Sequence, residues 1–518
     1  MKRLVLGVLA TVWLAGCASL PGLDGRVASH GLTDTAGTRL AGLASVPEAH
    51  AGKEPSGIRE LPSPLEAFGA RVALARGAER SLDVQYYIWH QDVTGTLLLQ
   101  ELWNAAGRGV RVRLLLDDNG IAGLDPMLAT LNSHANIEVR LFNPFAGRRF
   151  KTLGYLTDFG RLNHRMHNKS FTADASATIV GGRNVGDEYF GATDGMAFAD
   201  LDVLALGKAA RDVTTAFDGY WNSESAYPAE FLLEAPGQES VPTMLETFRT
   251  TEALPKSQRY IDSVTTALRE DVEGKWYNEL KWVPAVLVCD DPIKTKAKGR
   301  VSESALMFTQ LSQVMGGARD SMDLVSPYFV PGSKGARTMS DVARTGLDMR
   351  IVTNSLMSSD AMIVHAGYSK RRKDLLQAGI KIYETKPDPV QPKKKEKRKK
   401  QMVFSGSSSS SLHAKTFVVD RKRIFVGSFN LDQRSLNLNT EMGLVIDSDV
   451  LASALSDTLD RTLADSAYEV RIQKDGSGLE WLEVTEQGEV VHRNEPRAGL
   501  LKRIGVNILS WLPIDWML

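Results

Sequence analysis

One short pattern occurs twice in this chain. His167-Asn168-Lys169 is followed by Asp174, and His413-Ala414-Lys415 is followed by Asp420, so both copies read H-x-K-x4-D. Each then runs into a glycine-bearing stretch that closes on asparagine, Gly181-Gly182-Arg183-Asn184 and Gly427-Ser428-Phe429-Asn430. Ordinary residue frequencies give such a pattern about 0.03 occurrences in a chain of this length. Two copies with a shared tail therefore describe a duplication, and one active site built from two halves is the economical reading.

The flanks of the motifs repeat as well. Upstream of the first, residues 81–89 read as a strand, 97–106 as a helix and 110–117 as a second strand entered through Gly109. Upstream of the second, the same order recurs at 321–329, 338–344 and 347–353, entered through Gly346, and residues 137–142 match 380–383. Strands alternating with helices predict a mainly parallel mixed sheet flanked by helices, once per half. A chain of 518 residues is also too long for one ordinary core. The expectation is an α/β fold of two duplicated domains, residues 61–290 and 291–518, with the active site at their pseudo-twofold interface.

With 43% hydrophobic and 24% charged residues the composition is globular. The formal net charge is zero, so no global field favours nucleic acid or an acidic membrane, and any such preference is local. Residues 1–16 combine a basic start with an apolar run too short to span a bilayer, ahead of Leu14-Ala15-Gly16-Cys17. This resembles a bacterial lipobox, in which Cys17 is lipidated; an ordinary signal peptide is the alternative. Ala18 in place of Asp resembles lipoproteins sent on to the outer membrane. The expected location is the bacterial envelope, lipid-anchored and facing the periplasm, with residues 17–60 as a flexible tether. Cys289 is the one other cysteine. With Cys17 acylated, no intramolecular disulfide forms, and a cysteine metal site is excluded.

Residues 391–411 form a basic and then serine-rich insertion directly before the second motif. It reads either as a solvated loop or as an attractor of anionic head groups, at about 1 kcal/mol per basic residue near the surface. Near the C-terminus, Leu500, Leu501, Ile504, Ile508, Leu509 and Leu512 recur at helical spacing, with Lys502 and Arg503 between them and Trp511 and Trp516 close by. Such an amphipathic helix suits a membrane interface, or docking on its own domain.

The chemistry lies in the motifs. Residues two apart in extended backbone point the same way, so His167 and Lys169 project together, as do His413 and Lys415. Each half offers an imidazole, an ammonium and an asparagine amide, Asn184 or Asn430. Facing halves would surround one tetrahedral anion with two of each, a set suited to phosphodiester chemistry. One histidine attacks phosphorus while the other, protonated, serves the leaving alkoxide and then the incoming alcohol or water. The lysines and asparagines meet charge on the non-bridging oxygens.

These blocks resemble the HKD signature of the phospholipase D superfamily over nearly the whole mature chain. Residues 165–171, 181–190 and 428–435, with Asn439-Thr440-Glu441, are most similar to its bacterial cardiolipin synthase C-type branch. The resemblance implies two phospholipase D-like domains and no metal or organic cofactor. It implies that the acid downstream of each motif orients the opposing or the adjacent histidine, by position Glu441 in the second half and Asp200 in the first. Asp174 and Asp420 count among the catalytic residues of the signature, yet read better as structural salt-bridge partners. Ser428 joins Asn184 and Asn430 as a phosphate-binding candidate; Gly182 stands in its place in the first tail. His167 is the favoured nucleophile.

The expected partners are membrane phospholipids: phosphatidylglycerol, with phosphatidylglycerol or phosphatidylethanolamine as donor. The expected reaction is phosphatidyl transfer giving cardiolipin. Hydrolysis of phospholipid or nucleic acid by the same intermediate is the alternative, with nucleic acid the less favoured substrate. A non-catalytic lipid-binding lipoprotein fits less well, because binding alone does not require two imidazoles.

Overall fold

The computed structural model describes residues 19–50, 54–192, 199–272, 278–296, 301–359, 361–387 and 412–512. Cys17, the insertion at 391–411 and Trp516 lie outside the described residues. Two sheets carry the fold. The first contains β1 (Ser56–Leu61), β2 (Ser81–Ile88), β3 (Arg111–Gly120), β4 (Ile137–Phe142), β5 (Ser170–Ala173), β6 (Ala177–Gly181), β7 (Asp202–Gly207), β8 (Ala226–Pro228) and β9 (Lys281–Val283). Their spatial order is β8-β4-β3-β2-β5-β6-β7-β1-β9. The second contains β10 (Ala285–Cys289), β11 (Ser321–Val325), β12 (Asp348–Asn354), β13 (Lys381–Thr385), β14 (Thr416–Val419), β15 (Arg423–Gly427), β16 (Met442–Asp447), β17 (Ala467–Ile472), β18 (Leu479–Thr485) and β19 (Gly488–His492). Their order is β10-β16-β15-β14-β11-β12-β13-β17-β18-β19. The shared core order, β4-β3-β2-β5-β6-β7 against β13-β12-β11-β14-β15-β16, is the duplication in structural form.

The sheets are mixed, as expected, but not mainly parallel. Parallel pairing is confined to β2–β3, β3–β4, β11–β12 and β12–β13, and the other neighbours run antiparallel. The reason is local. Each H-x-K segment leads into a hairpin, β5–β6 or β14–β15, and a tight hairpin closes antiparallel. Asp174-Ala175 and Asp420-Arg421 supply the turns, with φ of 52°, 49°, 53° and 53°. Such left-handed turns match the twist of the flanking strands, and aspartate is among the residues that tolerate them.

The same two aspartates hold the strand next door. Asp174 accepts the backbone N–H groups of Glu79, Arg80 and Ser81 at 3.0, 2.8 and 2.9 Å. Asp420 accepts those of Arg319, Asp320 and Ser321, the last two at 2.8 and 3.1 Å. Their role is therefore structural, but the expected salt bridges are replaced by backbone bonds that fix where β2 and β11 begin. Both lie at the far ends of β5 and β14 from the histidines.

Two expected boundaries also move. β9 ends the first sheet at Val283 and β10 opens the second at Ala285, so the crossover is at Pro284 rather than at 290. Residues 17–60 are not a free tether over their described part. β1 pairs with β7 and β9, burying Ile58 and Leu61. Residues 26–31 lie along the helix Lys208–Trp221: Arg26 donates to Asn222 O, the Gly31 N–H meets Asp218, and Trp221 Nε1 donates to Ser29 Oγ. Weak apolar periodicity hid this strap because it is held by polar backbone contacts. One further core joins the sheets directly. Ile58, Val180 and Val203 meet Ile424, Val426 and Leu444, all buried.

Candidate active site

His167 and Lys169, like His413 and Lys415, sit in the last residues before β5 and β14. Each histidine is held by the opposite half. The His167 N–H donates to Thr440 O at 2.9 Å, and the Thr440 N–H returns a bond to Arg165 O. The His413 N–H donates to Ala199 O at 2.9 Å. The acids cross over in the same way: His167 Nδ1 lies 2.8 Å from Glu441 Oε2, and His413 Nδ1 lies 2.6 Å from Asp200 Oδ2. Both acids that the sequence places downstream thus serve the opposing histidine, not the adjacent one.

A carboxylate only accepts, so ionised Asp200 fixes the proton on His413 Nδ1 and leaves Nε2 as the reactive nitrogen. The lysines complete the centre. Lys169 Nζ donates to His167 O at 2.6 Å and lies 5.6 Å from the ring centre of Tyr87. Lys415 Nζ lies 2.9 and 3.2 Å from the two ring nitrogens of His413. Tyr87 meets the His167 ring edge-on at 5.0 Å, and Tyr189 meets His413 at 5.3 Å.

Burial governs the charges. It pushes the His167 imidazole well below its ordinary range, reinforced by Lys169 and Lys415. It lowers His413 to about 4, with Lys415 adding to the effect and Asp200 opposing it. Lys169 is also held well below its usual value by burial. The two acids diverge. Burial works against ionised Asp200, yet the hydrogen bond from His413 Nδ1 and the Lys415 charge outweigh it and hold its carboxyl below the usual range. Burial drives Glu441 up to about 7, against the pull of Lys169. Both imidazoles are thereby held toward their neutral form. A bound phosphodiester would bring one negative charge between the lysines and favour a protonated imidazole.

Ser428 is placed differently from expectation. Its Oγ donates to Glu441 Oε2 at 2.5 Å, and Ser435 Oγ holds Oε1 at 2.8 Å. It is fully buried, so its hydroxyl orients the acid instead of meeting a phosphate. In the first half a Cβ on Gly182 would lie 2.2 Å from Asp200 Oδ1, so the shorter acid occupies the space that Ser428 fills in the second. Asn184 and Asn430 are both buried. Asn184 Oδ1 accepts the Ile88 N–H at 3.2 Å, which leaves its NH2 as the donor end. Asn430 Oδ1 has no protein partner among the described residues.

Residues beyond the motifs also matter. Arg434 joins the halves by donating to Asn163 Oδ1 and O at 2.8 and 2.7 Å, and its charge contributes to the lowering of His167. Asp290 accepts the Glu441 N–H and is paired with Lys294. Arg434 and Ser435 lie in the second motif's tail, but no spacing in the sequence announces their roles. Among the described residues, His90, Asp92 and Glu188 have donor atoms within 4.8 Å of one another. Asp92 already accepts the N–H groups of Gly95 and Asp187, and Glu188 meets His90 Nδ1, so the group reads as a helix cap with an ion pair.

Comparison with known proteins agrees with this geometry. The family described as cardiolipin synthase, PLD-like domain, matches residues 72–221 and 311–463, one match per half. Cardiolipin synthase C of Escherichia coli K12 is 42% identical over 469 residues, 89% of this chain and 96% of that protein. An uncharacterised protein of Helicobacter pylori J99 is 32% identical over 446 residues, 85% of each chain. Among solved structures, phosphatidylserine synthase of Haemophilus influenzae shares the fold, with a TM-score of 0.55 at 12% identity over 91% of this chain and 99% of that one. The chain belongs to the cardiolipin synthase family of phospholipase D-like proteins.

Proposed function

We propose that the chain is a phosphatidyltransferase that forms cardiolipin from phosphatidylglycerol and a second phospholipid. The observation that carries this is the crosswise site: two imidazoles, each paired with an acid of the other half, between two buried lysines. The relatedness to cardiolipin synthase C supplies the lipid.

His167 is the nucleophile and His413 the acid and base. Asp200 stays ionised beside His413 and favours its imidazolium once the substrate anion arrives. Glu441, its carboxyl pushed up to about 7 by burial, is only partly ionised and favours a His167 imidazolium less than Asp200 favours that of His413. His167 Nε2 attacks the donor phosphorus, a P–N bond forms, and the P–O bond to the head group breaks. His413 passes its proton to the departing alkoxide. The same imidazole then takes the proton from a phosphatidylglycerol hydroxyl, whose oxygen displaces His167 from phosphorus. Lys169, Lys415 and the two asparagine amides stabilise charge on the non-bridging oxygens. Water as acceptor would make the enzyme a hydrolase.

Attachment to the envelope through lipidated Cys17, facing the periplasm from the outer membrane, fits this substrate. No helix among the described residues is long and apolar enough to cross a membrane. The C-terminal helix Leu500–Ser510 adds a second contact. Val506 buries against Leu356 and Ala366, while Leu501, Ile504, Ile508 and the following Trp511 face outward. The helix is docked on its own domain through one face and leaves an apolar face exposed, which suits a membrane interface.

The test uses purified protein with phosphatidylglycerol vesicles, with and without phosphatidylethanolamine, alongside His413→Ala. Cardiolipin formed only by the intact protein supports the reading, and dependence on phosphatidylethanolamine identifies the donor. Phosphatidic acid in place of cardiolipin would make this a phospholipase.

A further inference from the structure

The connection from β4 to β5 carries a feature that the motifs do not explain. Phe150, Leu153, Leu156 and Phe159 recur at every third position, through a 3-10 turn (Lys151–Leu153) and two short helices (Gly154–Thr157 and Phe159–Leu162). Their exposures are 62, 55, 83 and 38%. A stripe of four large apolar side chains left in water marks a contact surface. The alternate side of the same segment is anchored. Leu162 is buried, and Tyr155 packs edge-on to Phe145 at 5.4 Å. Arg148 and Lys151 tie the segment to Asp118 and Asp125. The stripe is therefore presented by a fixed support.

Its place and charge indicate the occupant. Tyr155 Oη donates to Asn119 Oδ1 at 2.9 Å, Asn119 Nδ2 donates to Tyr87 Oη at 3.2 Å, and Tyr87 meets His167 edge-on. The stripe thus stands beside the side of the site that holds the nucleophile. Arg148 and Lys151 are paired with Asp118 and Asp125, and Arg161 with Asp158, so Arg149 is the basic side chain left beside the stripe. Arg149 is exposed, with its guanidinium 5.5 Å from the Phe150 ring centre. Exposed apolar and aromatic side chains with an exposed arginine at their edge match the acyl boundary of an anionic bilayer.

We propose that residues 150–159 form a membrane-inserting lip, in which Phe150, Leu153, Leu156 and Phe159 enter the hydrocarbon of an anionic phospholipid bilayer beside the catalytic centre. Arg149 meets the head groups, and a lipid phosphate reaches the site without its acyl chains crossing water. The lip rests on the phospholipid reading of the site, and its test is chosen to fail separately from that reading.

The full chain with Cys17→Ala, which removes the lipidation site, is labelled with a polarity-sensitive fluorophore at Leu156→Cys. A control carries the label at Glu246→Cys on the helix Ser240–Glu252. Vesicles of phosphatidylglycerol and phosphatidylethanolamine should shift the emission at 156 to the blue, and acyl-brominated lipid should quench it, with neither effect at 246. In parallel, Leu153→Ser/Leu156→Ser should lower the ratio of turnover on vesicles to turnover on short-chain monomeric lipid at least about tenfold, because two apolar side chains no longer partition. A label at 156 that stays open to aqueous iodide under saturating vesicles overturns the lip, whether or not lipid is turned over. An unchanged turnover ratio does the same. Insertion at 156 without any lipid product leaves the lip standing and removes the transferase reading.

Discussion

Gly182→Ala tests whether the space beside Asp200 is as full as the structure has it. An added Cβ would lie 2.2 Å from Asp200 Oδ1, 2.8 Å from Oδ2 and 2.9 Å from Cγ, closer than carbon and oxygen approach without displacement. The acid has little room to yield. Its backbone neighbour Ala199 accepts the His413 N–H, and the Asp200 carbonyl accepts Arg183 Nη2 at 2.6 Å. The carboxylate must therefore rotate away and give up its 2.6 Å bond to His413 Nδ1. A charge-assisted hydrogen bond contributes about 1.5–3 kcal/mol, which corresponds to about 10- to 150-fold in turnover. His413 should also become harder to protonate, because Asp200 is the group that favours its imidazolium. The assay is cardiolipin formation across pH, with thermal unfolding to separate catalysis from stability. Turnover above half the wild-type value, in a variant that folds normally, would refute the reasoning.

Four other outcomes follow from the same geometry. Asp174→Ala should cost about 2–4 kcal/mol in denaturant unfolding, since a buried carboxylate bonded to three backbone N–H groups is lost, and the half-exposed Asp420→Ala should cost less. Ser428→Ala should reduce turnover by about tenfold or less, because Ser435 still holds the other Glu441 oxygen. Folded His413 titrates near 4 instead of 6.5, so it contributes stability that is present above pH 6.5 and lost as pH falls toward 4. Thermal melts of His413→Gln should show less loss over that window, by at most about 3 kcal/mol. With a donor whose leaving group needs no proton, His413→Ala should accumulate a phosphohistidine visible by phosphorus NMR, and His167→Ala should not.

The duplication and the strands around each motif were legible in the sequence because they recur in matching order, whereas the two orienting acids came from the family resemblance. The strand expected at 137–142 is β4 itself, and the helix expected at 97–106 lies within Val93–Gly107. The mainly parallel sheet was misjudged because alternating strands and helices record chain order, whereas the hairpin turns at Asp174 and Asp420 set the direction of the next strand. Ser428 could not be assigned from spacing: whether its hydroxyl faces a phosphate or a carboxylate depends on Glu441 being one methylene longer than Asp200. The strap at 26–31 and the stripe at 150–159 were missed for opposite reasons. The first has polar contacts and no apolar pattern. The second repeats every three residues, a period that suits neither an α-helix nor a strand.

A single residue, Pro284, separates the last strand of one sheet from the first strand of the other, and a shared apolar core closes the rest of the seam. The two halves of the site are thus held together both by the chain and by packing. The proposed reaction then passes both displacements through one site, so ping-pong kinetics are expected, with the released alcohol competing with the acceptor.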